Sequence, residues 1–185
     1  MFMRCLRFSP IVAFEACAEK AVTEEMAVRM RLIQLARRLF DLADCVDSSG
    51  FFNRDVYTAF NMSSSAYDVV LILGDRQLDE ESGAQRIYAA SRAAYILNAL
   101  DTNSAPSNSS IASASSLEEL SEFLNTYVRA ADIVSVPVEL APIAEYLNLA
   151  NFSSEHDRSV SYWCALYAVR KGIKLLKEFK TRSLN

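Results

Sequence analysis

The chain's single histidine, His156, and one of its four cysteines, Cys164, lie eight positions apart in EHDRSVSYWCALYAVRKGIKLL (Glu155–Leu176), beside the only tryptophan, Trp163. A thiol and an imidazole can form a nucleophilic pair, but only within hydrogen-bond reach of each other. On one helix, eight residues correspond to about 12 Å along the axis at ~1.5 Å per residue. The two could meet only if the helix began after His156 and the chain folded back. Cys164, set between Trp163 and the Leu166/Tyr167 pair, reads as a core thiol, and His156 as a polar residue of a first helical turn. A second candidate, DCVDSSGFFNRD (Asp44–Asp55), has the look of a calcium loop. Placing Gly50 at the sixth position of that loop makes Cys45 the first and Val56 the twelfth, and neither side chain is an oxygen ligand. Cys5, Cys17, Cys45 and Cys164 contain no C-x-x-C pair, and one histidine cannot complete a zinc set. They read as reduced, buried thiols. No glycine-rich phosphate loop and no G-x-S-x-G occurs. The residues point to a protein that is not an enzyme, with no catalytic group, metal or cofactor.

Composition narrows the remaining choices. A net charge of -4 and a pI near 5.1 disfavour nucleic acid as a partner, because such a binder needs a basic stripe. Glycine and proline number four each, too few for the turns of an all-β fold, so long helices are expected. The opening MFMRCLRFSPIVAFEACAEK has a basic start, an apolar run and an Ala16-Cys17-Ala18 sequence like a cleavage site. Pro10 and Glu15 interrupt that run, so it is not read as a targeting segment. No apolar run approaches the ~18 residues that span a bilayer. The expectation is a cytoplasmic protein that meets membranes only through partners.

Helical periodicity runs through most of the chain. Met26, Met30, Ile33, Arg37 and Phe40, with Leu32, Leu35, Leu39 and Leu42 beside them, predict a helix over 24–46, with Thr23 as N-cap and Glu24 and Glu25 in its first turn. A second helix is predicted from about Asn53 to Leu73, with Val56, Phe60, Tyr67, Val70 and Leu71 inward. A third runs from about Asp79 to Asp101, with Ile87, Tyr88, Ala94, Tyr95 and Leu97 inward. Gly50, Gly74 and Gly83 fall at or near the breaks. DTNSAPSNSSIASASS (101–116) lacks large side chains apart from Ile111 and predicts a flexible linker. A helix over 116–134 follows, then a break at Pro137, a short helix from Pro142 to Asn151, and a last helix over 155–180. That last helix carries two adjoining apolar rows, Tyr162/Leu166/Val169/Ile173/Leu176 and Trp163/Tyr167/Leu175/Phe179, a face broad enough for two neighbours. Arg170, Lys171, Lys174 and Lys177 form its polar side, either a solvated face or a docking edge for an acidic peptide.

Two blocks of sequence are familiar. Phe40–Leu100 contains Ala43-Asp44, Gly50, Phe52, the Tyr57–Phe60 segment, Tyr88-Ala89, Arg92-Ala93 and Tyr95-Ile96. In this it resembles the second half of the helical amino-terminal region of the Vta/LYST-interacting-protein family of ESCRT-III regulators. Leu140–Leu176, with Asp157-Arg158, Tyr162-Trp163-Cys164, Leu166-Tyr167-Ala168 and Gly172, resembles the first two helices of that region. In the family the second block comes first. The reversed order suggests a circular permutant in which Arg4–Lys20 supplies the missing third helix and packs on the last one. A fused tandem fragment or a faulty gene model would give the same order.

The resemblance implies an all-α fold of two packed antiparallel three-helix bundles of the microtubule-interacting-and-trafficking type. The expected division is 1–100, including the bundle 24–100, then the linker 101–116, then 117–185 packing with 1–20. It also implies an adaptor in multivesicular-body sorting that holds the C-terminal tail helices of ESCRT-III subunits in grooves between helices. Association with the AAA ATPase that disassembles ESCRT-III belongs to the same implication, although no stretch here resembles the family's C-terminal segment that stimulates it. The alternative is a helical scaffold that kept the fold without tail binding. The partner-contacting positions suggested are Tyr67, Leu71, Arg86 and Arg92, with Arg170, Lys171 and Lys174 on the last helix.

Overall fold

In the computed structural model, residues 10–73, 77–102, 113–128 and 136–182 are described; side chains are described from residue 23 onward within those spans, except 113–114, 126–128 and 182. Six α-helices carry them: α1 (Pro10–Ser48), α2 (Arg54–Val70), α3 (Glu80–Asp101), α4 (Ser113–Val128), α5 (Ala144–Ser153) and α6 (Arg158–Arg182). A 3-10 segment, Val138–Ile143, leads into α5. No strand occurs among the described residues, and the fold is all-α.

Helix boundaries follow from local chemistry. α1 ends at a turn in which Gly50 takes φ +75°, a left-handed conformation that suits a residue without Cβ. Asn53 caps α2, its side-chain oxygen accepting from Val56 N at 2.9 Å. Asp79 caps α3 more completely: Oδ1 accepts from Ser82 N at 2.8 Å and Oδ2 from Ser82 Oγ at 2.9 Å. These hydrogen bonds hold the Asp79 carboxyl below its ordinary range, because they favour its charged form.

The start of α1 differs from expectation. The helix does not begin at Thr23 but runs unbroken from Pro10. Proline suits a first helical position, and 11–22 holds no further proline and no glycine. The Thr-Glu-Glu sequence is thus helix interior rather than a cap. How the side chains of Arg4–Lys20 pack lies outside the described residues. The expected linker is also shorter at both edges. Asp101 closes α3 and Ser113–Ser116 open α4. Gly83 lies in the first turns of α3, not at a break.

α1, α2 and α3 form an up-down-up bundle. Ser63 Oγ on α2 donates to the Ala36 carbonyl on α1 at 2.8 Å. Phe40, Phe60 and Tyr88, one from each helix, meet edge to face with centroids 5.7–6.0 Å apart. Arg29 donates to the carbonyls of Leu73 and Gln77, holding the α2–α3 connection against α1. Leu32, Leu39, Phe60, Tyr67 and Ile96 are fully buried between the three. α5 and α6 make a hairpin whose α5 side packs on α2, and α4 lies over α1 and α2.

The inner face of α3 is a correction. Ile87, Tyr88 and Tyr95, expected inward, are exposed, whereas Ser82, Ala89, Ala93, Ile96 and Ala99 face the core. Small residues let α3 approach its neighbours closely, and the tyrosines cover the flank, Tyr88 against Phe40 and Phe60 and Tyr95 against Phe52. Ala94 too is exposed, and Leu97 is half-buried.

Candidate docking site

α6 starts at a firmly held cap. Asp157 Oδ1 accepts from Ser159 N and Val160 N, both at 3.1 Å, while Oδ2 pairs with Arg31 Nε of α1 at 2.6 Å. His156 therefore precedes the helix, in the turn that joins it to α5, instead of occupying its first turn. Val160, Cys164, Ala168 and Gly172, four residues apart, form the buried seam of α6. The last of these allows a close approach, since a Cβ there would lie 3.4 Å from Ile143 Cδ1. Burial pushes the Cys164 thiol up to about 12, with the Asp157 charge adding to the effect, so it is a thiol and not a thiolate at neutral pH. Cys45 differs from the buried thiol expected of it. It is exposed on α1, 3.5 Å from Ser116 Oγ of α4, because the inward positions of that turn fall to Ala43 and Val46. Cys5 and Cys17 lie outside the described side chains.

The opposite side of α6 is open. Tyr162, Val169, Ile173 and Leu176 are each half or more exposed, at 61%, 55%, 50% and 52%. Leu166, half-buried, completes a row with alternating spacings of four and three. That is the period of a helix–helix seam, and contiguous exposed apolar surface is a common feature of interaction faces. Phe179 widens its far end. No described residue covers it. These residues were expected to be inward; the second row, Trp163, Tyr167 and Leu175, is the one that packs on the core.

The predicted contact residues divide sharply. Arg170 and Lys174 are exposed beside the open row. Lys171 is not available in the same way: Nζ donates to Tyr146 Oη at 2.8 Å and sits over the Tyr146 ring at 4.4 Å. Arg86 Nε pairs with Asp68 Oδ1 at 2.6 Å. Arg92 grips Asp47 with two bonds of 2.7 Å, its guanidinium stacked on Phe52 and Tyr95 at 4.9 and 4.8 Å. Tyr67 has no exposed surface, and its hydroxyl bonds to Gln85 Oε1 at 2.6 Å. It can touch no partner in this arrangement. Leu71, at the C-cap of α2, is half-buried. The structure therefore gathers only Arg170 and Lys174 next to an accessible apolar surface.

One carboxylate joins the two regions. Asp68 of α2 accepts from Arg86 of α3 through Oδ1 and, through Oδ2, from the Tyr146 hydroxyl of α5 at 2.7 Å. Tyr146 in turn receives the Lys171 ammonium of α6 and packs edge to face on Tyr167 at 4.5 Å. Burial first, then the Asp68 acceptor, drives the Tyr146 hydroxyl upward, so it stays protonated. Among the described residues, no group of His, Cys, Asp and Glu side chains is placed to hold a metal, and no helix is long and apolar enough to cross a membrane.

Comparison with known proteins reaches the first three helices. A family profile described as Vta1 like matches residues 14–102. The vacuolar protein sorting-associated protein VTA1 homologs of Bos taurus and Homo sapiens are each 31% identical over 87 residues, and that of Mus musculus is 32% identical over the same length. The alignments cover 47% of this chain and 28% of each relative, so the chain spans well under half the length of the curated relatives it matches. No solved structure matches. The α1–α3 bundle, within residues 14–102, is thus the part of the chain that is similar to the Vta1-like family.

Proposed function

We propose that this chain is a non-enzymatic adaptor of endosomal protein sorting, which takes the C-terminal tail helices of ESCRT-III subunits on the open face of α6. The observation that carries the reading is the exposed Tyr162–Leu166–Val169–Ile173–Leu176 row with free cations beside it. A helix that docks on such a row needs apolar residues at matching three-and-four spacing. It also needs acids at its flanks, because α6 carries Arg158, Arg170, Lys171, Lys174, Lys177, Lys180 and Arg182 against Glu178. A second copy of this helix would bring like charges together, so an acidic partner is favoured. The VTA1 homologs are named for vacuolar protein sorting, which supports the sorting context. Recruitment to endosomes and association with the ESCRT-III-disassembling ATPase belong to the same proposal, as does the permuted order of the two sequence blocks.

Titration with a panel of ESCRT-III tail peptides tests it. Micromolar binding to at least one, lost in Ile173→Glu and weakened by Lys174→Glu, is the expected result. Absence of binding to every tail sinks the tail-adaptor reading. Repeating the titration without residues 1–20 addresses the other occupant the face could have, the chain's own amino-terminal segment. Tighter tail binding by the truncated chain would assign the face to that segment in the resting state. One observation favours the scaffold alternative: Arg86 and Arg92, two of the cations expected to greet a tail, are both engaged by internal carboxylates.

A further inference from the structure

α2 and α5 pack on each other and leave between them a cleft of about 510 Å³. Its α5 wall lies beyond residue 102, where the match to the family profile ends. Tyr57 and Asn61 of α2, one turn apart, face Glu145 and Asn148 of α5, also one turn apart. Met62 and Phe152, both buried, supply apolar lining. The size is that of a small-molecule site. One bridging water, with about 30 Å³ of liquid volume, would leave most of it unfilled.

Two polar groups on the α5 wall are short of partners. Asn148 Oδ1 is enclosed and accepts no hydrogen bond among the described residues. Glu145 is held among them only by a long contact, Ser65 Oγ donating to Oε2 at 3.4 Å. Its charge reaches across to α2, where burial first and the Glu145 carboxylate second push the Tyr57 hydroxyl above its ordinary value. Arg54 and Asp55 also line the cleft, and Asp55 already accepts from Ser121 Oγ at 2.9 Å. With one cation against two carboxylates, the lining has a negative charge in excess. A buried acceptor left without a donor is costly to keep. The group that satisfies it here brings N–H bonds and one positive charge. A primary ammonium has three donors and no acceptor, and its alkyl stem suits Met62 and Phe152. Tyr57 adds an aromatic ring, a surface that attracts cations.

We propose that the α2–α5 cleft is a binding site for a primary aliphatic amine in its ammonium form, with the ammonium between Glu145 and Asn148 and the stem against Met62 and Phe152. The amine is a free small molecule or the lysine side chain of a partner, and the chemistry of recognition is the same for both. The site uses no residue of α6 and does not rest on the identity of any ESCRT-III tail.

Pentylammonium chloride is titrated into the full chain and followed by amide NMR shifts, with sodium chloride and pentanol as controls. The expected result is saturable shifts around Tyr57, Asn61, Glu145 and Asn148, with pentanol at least about tenfold weaker. Glu145→Gln keeps the shape of the side chain, loses its charge and weakens pentylammonium binding by about tenfold or more. Asn148→Leu removes the orphaned acceptor at nearly constant volume. That variant melts no lower than the wild type and also binds about tenfold or more weakly, so its loss of binding is not a loss of fold. Pentanol binding as tightly as pentylammonium, shifts that do not saturate or lie outside the cleft, or either variant binding as the wild type does overturns the proposal. A capped lysine, Nα-acetyl-lysine methylamide, then separates the two sources. Binding equal to or tighter than that of pentylammonium assigns the cleft to a partner's lysine, and weaker binding assigns it to a free amine.

Discussion

The α1–α3 bundle and the α6 helix handle exposed groups in opposite ways. In the bundle, charges and aromatic rings that reach the surface are tied to one another. Arg92 is sandwiched between Phe52 and Tyr95 and clasped by Asp47, which is only 7% exposed. On α6 an apolar row lies bare, with Arg170 and Lys174 beside it. A surface whose cations are neutralised internally has little left to offer an acidic partner. A surface that leaves both apolar and charged groups unsatisfied holds binding energy in reserve. The bundle ties these surface groups to one another, and α6 leaves its apolar row open.

Substitutions can break that contrast, starting with the largest expected effect. Asp47→Ala leaves the Arg92 guanidinium half-covered and unpaired, and should cost about 3 kcal/mol, the low end for opening a buried ion pair; urea denaturation measures it. Asp68→Ala unties both Arg86 and Tyr146 and should cost roughly 2 kcal/mol, since it strands one charged and one neutral donor. Asp79→Ala removes a single N-cap, worth ~1 kcal/mol. Because the Asp79 carboxyl is depressed in the folded state, its contribution is full above the unfolded value of 3.8 and fades as pH falls through the folded one. The wild-type advantage over Asp79→Ala should therefore shrink in melts taken well below pH 4. Ile173→Glu on α6 should change stability by no more than ~0.5 kcal/mol, as for an ordinary surface site. If instead it unfolds the chain, α6 is a core helix and the contrast fails. On thiols, Cys45 should be modified within minutes by a maleimide at neutral pH while Cys164 stays protected until the protein unfolds, as mass spectrometry can follow.

The sequence made the helices easier to read than their faces. Asn53 and Asp79 sit where capping chemistry demands an acceptor, and both helices begin there. The inner face of α3 was misread because large apolar side chains draw attention, whereas close packing used Ser82, Ala89, Ala93 and Ala99. The same bias blurred the faces of α6: its buried seam is Val160, Cys164, Ala168 and Gly172, with Trp163, Tyr167 and Leu175 against the core, and the Tyr162, Val169, Ile173 and Leu176 row is the one left exposed. Ion pairs were the least legible part. Asp47 and Arg92 are 45 positions apart, and no local pattern joins them before the bundle closes. The excess width of the apolar face of α6 was visible in the sequence, and part of that width is the row the fold leaves exposed.

The position of Asp68 has a consequence for how the molecule comes apart. Its two oxygens hold α3 and α5, and through Tyr146 they also hold α6, all from one residue on α2. None of these helices can detach without stranding a polar group that water reaches poorly, so partial openings along this joint are disfavoured. Melting is then an event of the whole rather than of its parts: the calorimetric and van't Hoff enthalpies coincide, and they diverge once that one carboxylate is gone.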